Sequence, residues 1–367
     1  MQYKEIVDII KLRNIKEIYY FNVDHFEPCD LVGNIIATEE QVGELVKRYS
    51  VLQHAKRNSI FIRPYFEVVF DGPISELIYR VGDDKIGFKR TVATEHIVKL
   101  SEFISKNSDF NIQMHIHHEN FTFRMNSIKN DINQYLVFDS TRYMDYKRLQ
   151  LYIKLSRNLL GKAITHDQWF FVHGKWALNS SDDRVCNVNN ESAILLKLGC
   201  RGDFSFPAGR QQCDPGLKGP FTFTPVNVER CYDYIGSGAK LISNGSNIVT
   251  KDRLFAWSSE INHTNVSLDY YSDEIGRHLT EHNDVVKEWI NKSPILDGRL
   301  FIKTHCHSLN PLYIRNNKYP LDTDNVIKIH DVLRTSAKEA GTKLTYINVN
   351  EAFFLFSKID KGELLAC

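Results

Sequence analysis

The feature that most constrains the fold is an alternation of short apolar runs with longer amphipathic stretches along the 367 residues. The apolar runs have the length of buried strands, as at 16–23, 168–173 and 298–305, whereas 39–56 and 323–339 have helical periodicity. Strands separated by helices indicate βαβ units and a largely parallel sheet. We therefore predict an α/β fold.

A barrel and an open doubly wound sheet both have this pattern. The sequence contains no GxGxxG segment after the first strand and no GxxxxGK[ST] segment, which removes most support for the nucleotide-binding open sheets. A distorted (β/α) barrel is the better prediction, and such barrels often exceed roughly 250 residues as one unit. We predict a single domain over 1–367, with insertions at about 59–88 and 207–270.

The composition argues against several classes of protein. A total of 46 Lys+Arg against 45 Asp+Glu gives a net charge of +1, so no basic surface is expected for nucleic acid or anionic membrane. No apolar run approaches the roughly 18 residues that span a bilayer, and the charged N-terminal segment does not resemble a signal peptide. The seven cysteines form no CxxC pair. We expect a cytoplasmic protein with reduced thiols, no transmembrane segment and no nucleic-acid partner.

Histidines concentrate at the carboxyl ends of the predicted strands, where active sites of α/β folds gather. Half of the 14 histidines of the chain lie there: His25, His115, His117, His118, His173, His305 and His307. Because side chains alternate along a strand, His115 and His117 share one face. His305 and His307 do the same, with Cys306 opposed.

Two histidine pairs and an aspartate at one strand edge suit a borderline divalent metal such as zinc, which takes imidazole and carboxylate ligands. The predicted ligands are Asp24, His25, His115, His117 and His173. A metal-free polar cleft, and histidines with ordinary hydrogen-bonding roles, are the alternative interpretations. The candidate substrate-binding residues at the same edge are Glu119, Asn120 and Trp176, the last either stacking on a sugar ring or packing in the core.

These strand-end segments resemble the polysaccharide deacetylase superfamily, the carbohydrate esterase family 4 type of barrel. VDHFEP stands where that family has an Asp-Asp pair, HIHHENF stands for its paired-His motif, GCRGDFSFP for its Arg/Asp segment and THCHS for its final His motif. The segments HGKWALN and NNES resemble those of an uncharacterised, divergent branch of this superfamily. The resemblance extends from about Asn22 to Pro311. The chain departs from the family in having His25 at the second Asp position and paired histidines two residues apart rather than four.

The resemblance implies metal-dependent removal of an N-acyl group, most often acetyl, from an amino sugar in surface glycan biosynthesis, so the partner is a carbohydrate or glycolipid. It implies Asp24, or else Glu27, as the base that takes a proton from water. His305 or His307 would protonate the leaving amine. Two further residues would orient the base or the acid: Arg201 and Asp203.

Two other functions are compatible with these residues. An amidohydrolase- or phosphoesterase-like metal hydrolase is one, because HxH pairs occur there with two or three metals. A carbohydrate-binding barrel that has lost catalysis is the other, and His25 in place of the expected aspartate suggests it.

Overall fold

A computed structural model describes most of the chain. The described residues are 3–29, 36–52, 57, 59–63, 66–70, 77–81, 84–90, 92–106, 111–118, 123–124, 135–136, 149–150, 153–154, 156–157, 160, 168–182, 186, 188–207, 211–225, 238–261, 267–268, 281–311, 314 and 321–364.

Helices and strands alternate along these residues much as the sequence predicts. The helices are α1 (Lys4–Leu12), α2 (Glu39–Val51), α3 (Val92–Lys106), α4 (Glu191–Lys197), α5 (His282–Lys292), α6 (Thr323–Ala340) and α7 (Val349–Asp360). The strands are β1 (Glu17–Phe26), β2 (Ser59–Ile62), β3 (Phe66–Phe70), β4 (Leu77–Val81), β5 (Asp84–Arg90), β6 (Asn111–Ile116), β7 (Phe123–Arg124), β8 (Tyr135–Leu136), β9 (Trp169–His173), β10 (Cys200–Asp203), β11 (Pro220–Phe223), β12 (Lys240–Leu241), β13 (Leu254–Trp257), β14 (Ile295–Leu296), β15 (Arg299–Leu309) and β16 (Lys343–Tyr346).

Most strands belong to one 11-stranded sheet with the order β12-β11-β13-β10-β9-β6-β2-β1-β15-β14, and β16 also pairs with β1. The run from β13 through β15 is parallel, as is the β16 pair. The strands β11, β12 and β14 add antiparallel edges. The predicted α/β fold with a largely parallel sheet is confirmed.

The sheet is strongly curled. Five strand spacings separate β1 from β13 in the sheet order, so their side chains would lie about 24 Å apart in a flat sheet. The rings of Phe21 and Trp257 are instead 5.2 Å apart. The described strands nevertheless form no closed ring, because the far neighbour of β13 is antiparallel β11. The prediction of a barrel is therefore not confirmed, because the described sheet is curled but open.

Two apolar clusters cover the two faces of this sheet. On the outer face, side chains such as Ile18, Ile60 and Ile112 pack against α1 to α6. On the inner face, Phe21 and Val23 pack with residues of neighbouring strands and with α7. Alternation along each strand thus assigns every side chain near the carboxyl ends to the outer or the inner face.

The two predicted insertions differ in their structure. The segment 59–88 contributes β2 to the main sheet and places β3, β4 and β5 in a separate antiparallel sheet. The segment 207–270, expected to be rich in loops, adds β11, β12 and β13 to the main sheet. The sequence also predicts a long helix at about 142–160, most of which lies outside the described residues. Within the described part of the chain, no helix is both long and apolar enough to cross a membrane.

Candidate functional site

The carboxyl ends of β1, β6, β9 and β15 bring the strand-end histidines to one edge of the sheet. Two groups of metal-ligand side chains form there, and all of their members are buried. The Glu27 group consists of Glu27, His115 and His117. The Cys186 group consists of His118, His173, Cys186 and Glu191. The single predicted site is therefore divided in two, with His115 and His117 in one group and His173 in the other.

The Glu27 group brings three potential ligand atoms into mutual contact. Glu27 Oε1 lies 2.7 Å from His115 Nε2 and 3.0 Å from His117 Nε2, and the two imidazole nitrogens are 2.9 Å apart. Neighbouring ligand atoms of an octahedral metal with bonds of roughly 2.1 Å lie about 3.0 Å apart. The three atoms therefore have the spacing of one face of an octahedral site, so a metal bound there would have further positions that these three residues do not fill.

The second contacts of these side chains favour a cation between them. His115 Nδ1 donates a hydrogen bond to the Val172 carbonyl oxygen at 3.1 Å, so a neutral His115 has only a lone pair at Nε2. The 2.7 Å contact with Glu27 Oε1 then joins two acceptors. The Asn310 amide donates to Glu27 Oε2 and leaves Oε1 to face the imidazoles. Such outer hydrogen bonds commonly orient metal ligands, so these residues fit a divalent metal.

Three further histidines border the Glu27 group. The ring centroid of His25 lies 4.8 Å from that of His115, 5.8 Å from that of His305 and 4.6 Å from that of His307. A register shift between β1 and β15 sets His25 against an extra residue of β15. Bulges of this kind re-aim side chains near active sites. Among the described residues, none makes a hydrogen bond to the buried His25 Nε2.

The protonation of the Glu27 group also suits a cation. Burial, followed by repulsion from His117, lowers the pKa of His115 to about 4. Burial and the neighbouring histidines likewise lower the pKa of His25. For Glu27, burial favours the neutral acid, but polar contacts with His115 and His117 outweigh burial and hold its pKa well below the ordinary value. At neutral pH an ionised Glu27 carboxylate therefore lies beside the neutral imidazoles of His115 and His25.

The Cys186 group surrounds a fully buried carboxylate. Glu191 Oε1 lies 2.7 Å from His118 Nε2, and Glu191 Oε2 lies 3.1 Å from His173 Nε2. Cys186 Sγ is 3.7 Å from His118 Nε2 and 3.6 Å from Glu191 Oε2. His173 and Cys186 belong to the outer face, because Phe171 and Cys186 pack in the outer apolar cluster. The inner face carries the Glu27 group.

Charges in the Cys186 group compensate one another. Burial opposes protonation of His118, but the adjacent Cys186 and Glu191 raise the pKa of His118 to about 10. The same carboxylate raises the pKa of His173 against the effect of burial. Burial also opposes ionisation of Cys186 and Glu191, yet contacts with the two histidines lower both pKa values. The group thus holds its buried negative charge only with positive charge beside it.

Asp24 does not join either group. Its Oδ1 accepts a hydrogen bond from the Ser308 amide at 3.0 Å and one from the Cys306 thiol at 3.4 Å. Alternation along β1 places these contacts on the outer face, opposite to His25. The predictions of Asp24 as a metal ligand beside His25 and as the catalytic base are therefore corrected by the position of its side chain. Cys306 points away from the neighbouring histidines, as predicted.

The residues expected to orient the base or acid have other partners. The guanidinium of Arg201 donates to the carbonyl oxygens of Thr250 and Lys251, at 2.8 and 2.9 Å, near the start of β10. This corrects the orienting role predicted for Arg201. Asp203 accepts hydrogen bonds from the amide and hydroxyl of Ser205.

Ser205 links Asp203 to the Cys186 group, because the Ser205 hydroxyl accepts a hydrogen bond from the His173 amide at 2.7 Å. Asp203 therefore supports the backbone at His173 through Ser205. Trp176 is half-buried and packs against the outer apolar cluster. The predicted sugar-stacking role of Trp176 remains a prediction. Glu119 and Asn120 lie outside the described residues.

Cys186 and Glu191 are the ligand-type residues that sequence reasoning missed. Glu191 is the first residue of α4, and Cys186 precedes it by five residues, with no strand among the described residues between them. Neither follows a strand, so a search confined to strand ends passes over both. The available signal is their spacing, since a buried thiol and a buried carboxylate are separated by less than two helical turns.

Neither a protein-family model nor a curated protein matches this chain. Among solved structures, the chain is similar to an alpha-mannosidase from Enterococcus faecalis V583, with 10% sequence identity and a TM-score of 0.40 over 94% of this chain. The chain spans only 29% of the length of that protein.

Proposed function

We propose that the protein is a metal-dependent hydrolase whose reaction centre is the Glu27 group. The observation that carries the proposal is the convergence of Glu27 Oε1, His115 Nε2 and His117 Nε2 within 3.0 Å of one another. Three protein ligands with an open face are typical of catalytic metal sites, whereas structural sites are closed. Glu27, His115 and His117 would hold a divalent metal, which would supply activation of water and polarisation of the bond to be cleaved.

The residues around the metal ligands supply the proton chemistry. His25 is the candidate proton acceptor, because its ring lies 4.8 Å from that of His115 and no described residue makes a hydrogen bond to its Nε2. His307 is half-buried, and its ring lies 4.6 Å from that of His25. We therefore assign His307 as the donor of a proton to the leaving group. His305 is buried, and its ring lies 5.8 Å from that of His25.

The substrate class follows from the resemblance to polysaccharide deacetylases. We infer an N-acyl amino sugar, with an acetyl-like group, as the compound whose amide bond is cleaved. Water adds to the acyl carbon, the C–N bond breaks, and the amine leaves with the proton from His307. A carbohydrate or glycolipid in surface glycan biosynthesis fits this chemistry. Imidazole nitrogen and carboxylate oxygen are ordinary ligands of zinc, which is the metal we propose.

The test is amine release from N-acetylglucosamine oligomers by the full chain loaded with Zn²⁺. We expect Glu27→Gln to lower kcat/KM on the order of 100-fold or more, because it removes the charged ligand. Glu40→Gln, on an exposed position of α2, is the matched control and should behave as wild type. Hydrolysis that survives both chelation and Glu27→Gln would overturn the proposal.

A second candidate function is an amidohydrolase- or phosphoesterase-like hydrolase with two metals at this edge. The observation that favours it is the ring contacts of His25 with His115 and His307, which place further imidazoles beside the Glu27 group. Turnover of a phosphoester such as p-nitrophenyl phosphate, without amine release from acetylated sugars, would select it. Sugar binding that is insensitive to chelation and without turnover would instead indicate a carbohydrate-binding protein.

A further inference from the structure

The side chains of the Cys186 group come from four separate places in the chain. His118 follows β6, His173 ends β9, Cys186 lies in the connection after β9, and Glu191 begins α4. All four are buried, and their ligand atoms lie within 4.8 Å of one another. A thiol, two imidazoles and a carboxylate are ordinary ligands of zinc, and four protein ligands complete a tetrahedral shell.

The distances from Cys186 Sγ to its neighbours agree closely with those in a tetrahedral zinc shell. Ligand atoms around a tetrahedral zinc lie about 3.3–3.6 Å apart. Cys186 Sγ lies 3.6 Å from Glu191 Oε2 and 3.7 Å from His118 Nε2. The two contacts between imidazole and carboxylate, at 2.7 and 3.1 Å, need only a small widening.

The imidazole of His173 is held from behind by the backbone. Its Nδ1 lies 2.5 Å from the Gly174 carbonyl oxygen and 3.1 Å from the Ala177 amide nitrogen. The carbonyl can only accept, so the shorter contact puts the proton on Nδ1 and the lone pair on Nε2. Histidine ligands of metals are commonly fixed by a carbonyl in this way.

The segment 174–182, which follows His173, is strained and contacts the Cys186 group. Lys175, Trp176, Asn179 and Ser180 have φ values of 64, 61, 51 and 57°, in the left-handed region. Non-glycine residues persist there only where surrounding contacts impose the conformation. The Asn179 amide donates to Glu191 Oε2 at 3.2 Å, which ties the segment directly to the group.

We propose that His118, His173, Cys186 and Glu191 form a structural zinc site that is separate from the reaction centre. The site has no open position for substrate, because its four ligands are buried and complete the shell. Its role is to hold the strained segment and the start of α4 against the end of β9. The proposal does not depend on the hydrolase reaction.

Cobalt substitution of the full chain tests the site directly. Co²⁺ bound to a thiolate gives an intense near-ultraviolet charge-transfer band, which the sulfur-free Glu27 group cannot produce. We expect this band in the wild type, its retention in Glu27→Gln, and its loss in Cys186→Ser. Cys200→Ser is the matched control, because Cys200 is also fully buried but belongs to neither group. Absence of the band in Co²⁺-loaded wild type would overturn the proposal, even if Cys186→Ser does not fold.

Metal content and thermal unfolding complete the test. We expect Cys186→Ser to lose about one zinc per chain and Glu27→Gln to lose the other. Added Zn²⁺ should raise the Tm of Glu27→Gln, because ligands that bind only the folded state stabilise it. Loss of zinc in Glu27→Gln alone would refute the structural site and leave the reaction centre supported. Loss of zinc in Cys186→Ser alone would support the structural site and refute the metal site at the reaction centre.

Discussion

Gly174 lies directly against the imidazole of His117. A Cβ atom on Gly174 would fall 2.5 Å from His117 Cγ and Nδ1, closer than non-bonded atoms approach. His117 belongs to the Glu27 group, and Gly174 follows His173 of the Cys186 group. The absence of one side chain thus permits the two groups to form next to each other.

Gly174→Ala is therefore expected to displace His117 and to weaken metal binding at the Glu27 group by about 10–100-fold. Titration of the metal-free protein with Zn²⁺ against a competing chelator measures this effect. Gly43→Ala is the matched control, since a Cβ there meets nothing within 4 Å. That change should stabilise α2 by about 0.5–1 kcal/mol and leave metal binding intact. Equal metal affinity in the two variants would contradict the close contact.

Asn310→Ala should weaken metal binding without removing a ligand. The Asn310 amide donates to Glu27 Oε2, and loss of an outer hydrogen bond to a metal ligand costs about 10–100-fold in affinity. The same competition titration applies. Asn291→Ala, at an exposed position of α5, should bind metal as the wild type does. An unchanged affinity in Asn310→Ala would show that Glu27 is not oriented by this contact.

Lys303 should make stability depend on pH. Burial lowers the pKa of Lys303 to about 7, although the nearby Asp203 raises it in part. Between this pKa and the ordinary lysine value, the unfolded chain holds the extra proton, so stability rises with pH. The slope is at most about 1.4 kcal/mol per pH unit.

Urea unfolding at pH 7 and pH 9 measures this dependence. The stability of the wild type should rise relative to that of Lys303→Met as the pH increases. Lys47→Met is the control, because the Lys47 side chain is 79% exposed. Wild type and Lys303→Met that change in parallel between the two pH values would contradict a lowered lysine pKa.

The inner apolar cluster depends on α7. Phe356 is fully buried, with its ring 5.4 Å from that of Phe255 and 4.7 Å from that of Phe301. Phe356→Ala should lower the free energy of unfolding by about 3–5 kcal/mol. Phe354→Ala, on the same helix but 57% exposed, should change it by less than about 1 kcal/mol. If urea unfolding showed comparable losses of unfolding free energy in the two variants, α7 would not pack as described.

Much of the sheet could be predicted because period-two alternation and strand length are local properties. Period-two alternation also places Asp24 and His25 on opposite faces of β1. The sequence alone therefore indicates that Asp24 and His25 cannot both face one metal. The pairing of Glu27 with His115 was not predictable in this way. It depends on β2 lying between β1 and β6, which is a property of the sheet order.

The Cys186 group illustrates a different limit. Glu191 and His118 are separated by 73 residues, and no periodicity connects them. Their contact arises from the packing of α4 against the outer face of the sheet. The α7 helix was also missed, although Asn348 and Glu351 form a capping box at its start. That motif is local and was available in the sequence.

His117 and His118 are consecutive residues that serve different groups. The peptide unit between them is common to both groups, so a backbone shift that reorients one imidazole reaches the backbone of the other. If both proposed sites bind metal, this shared peptide would couple their affinities, and such a coupling would be equal in both directions.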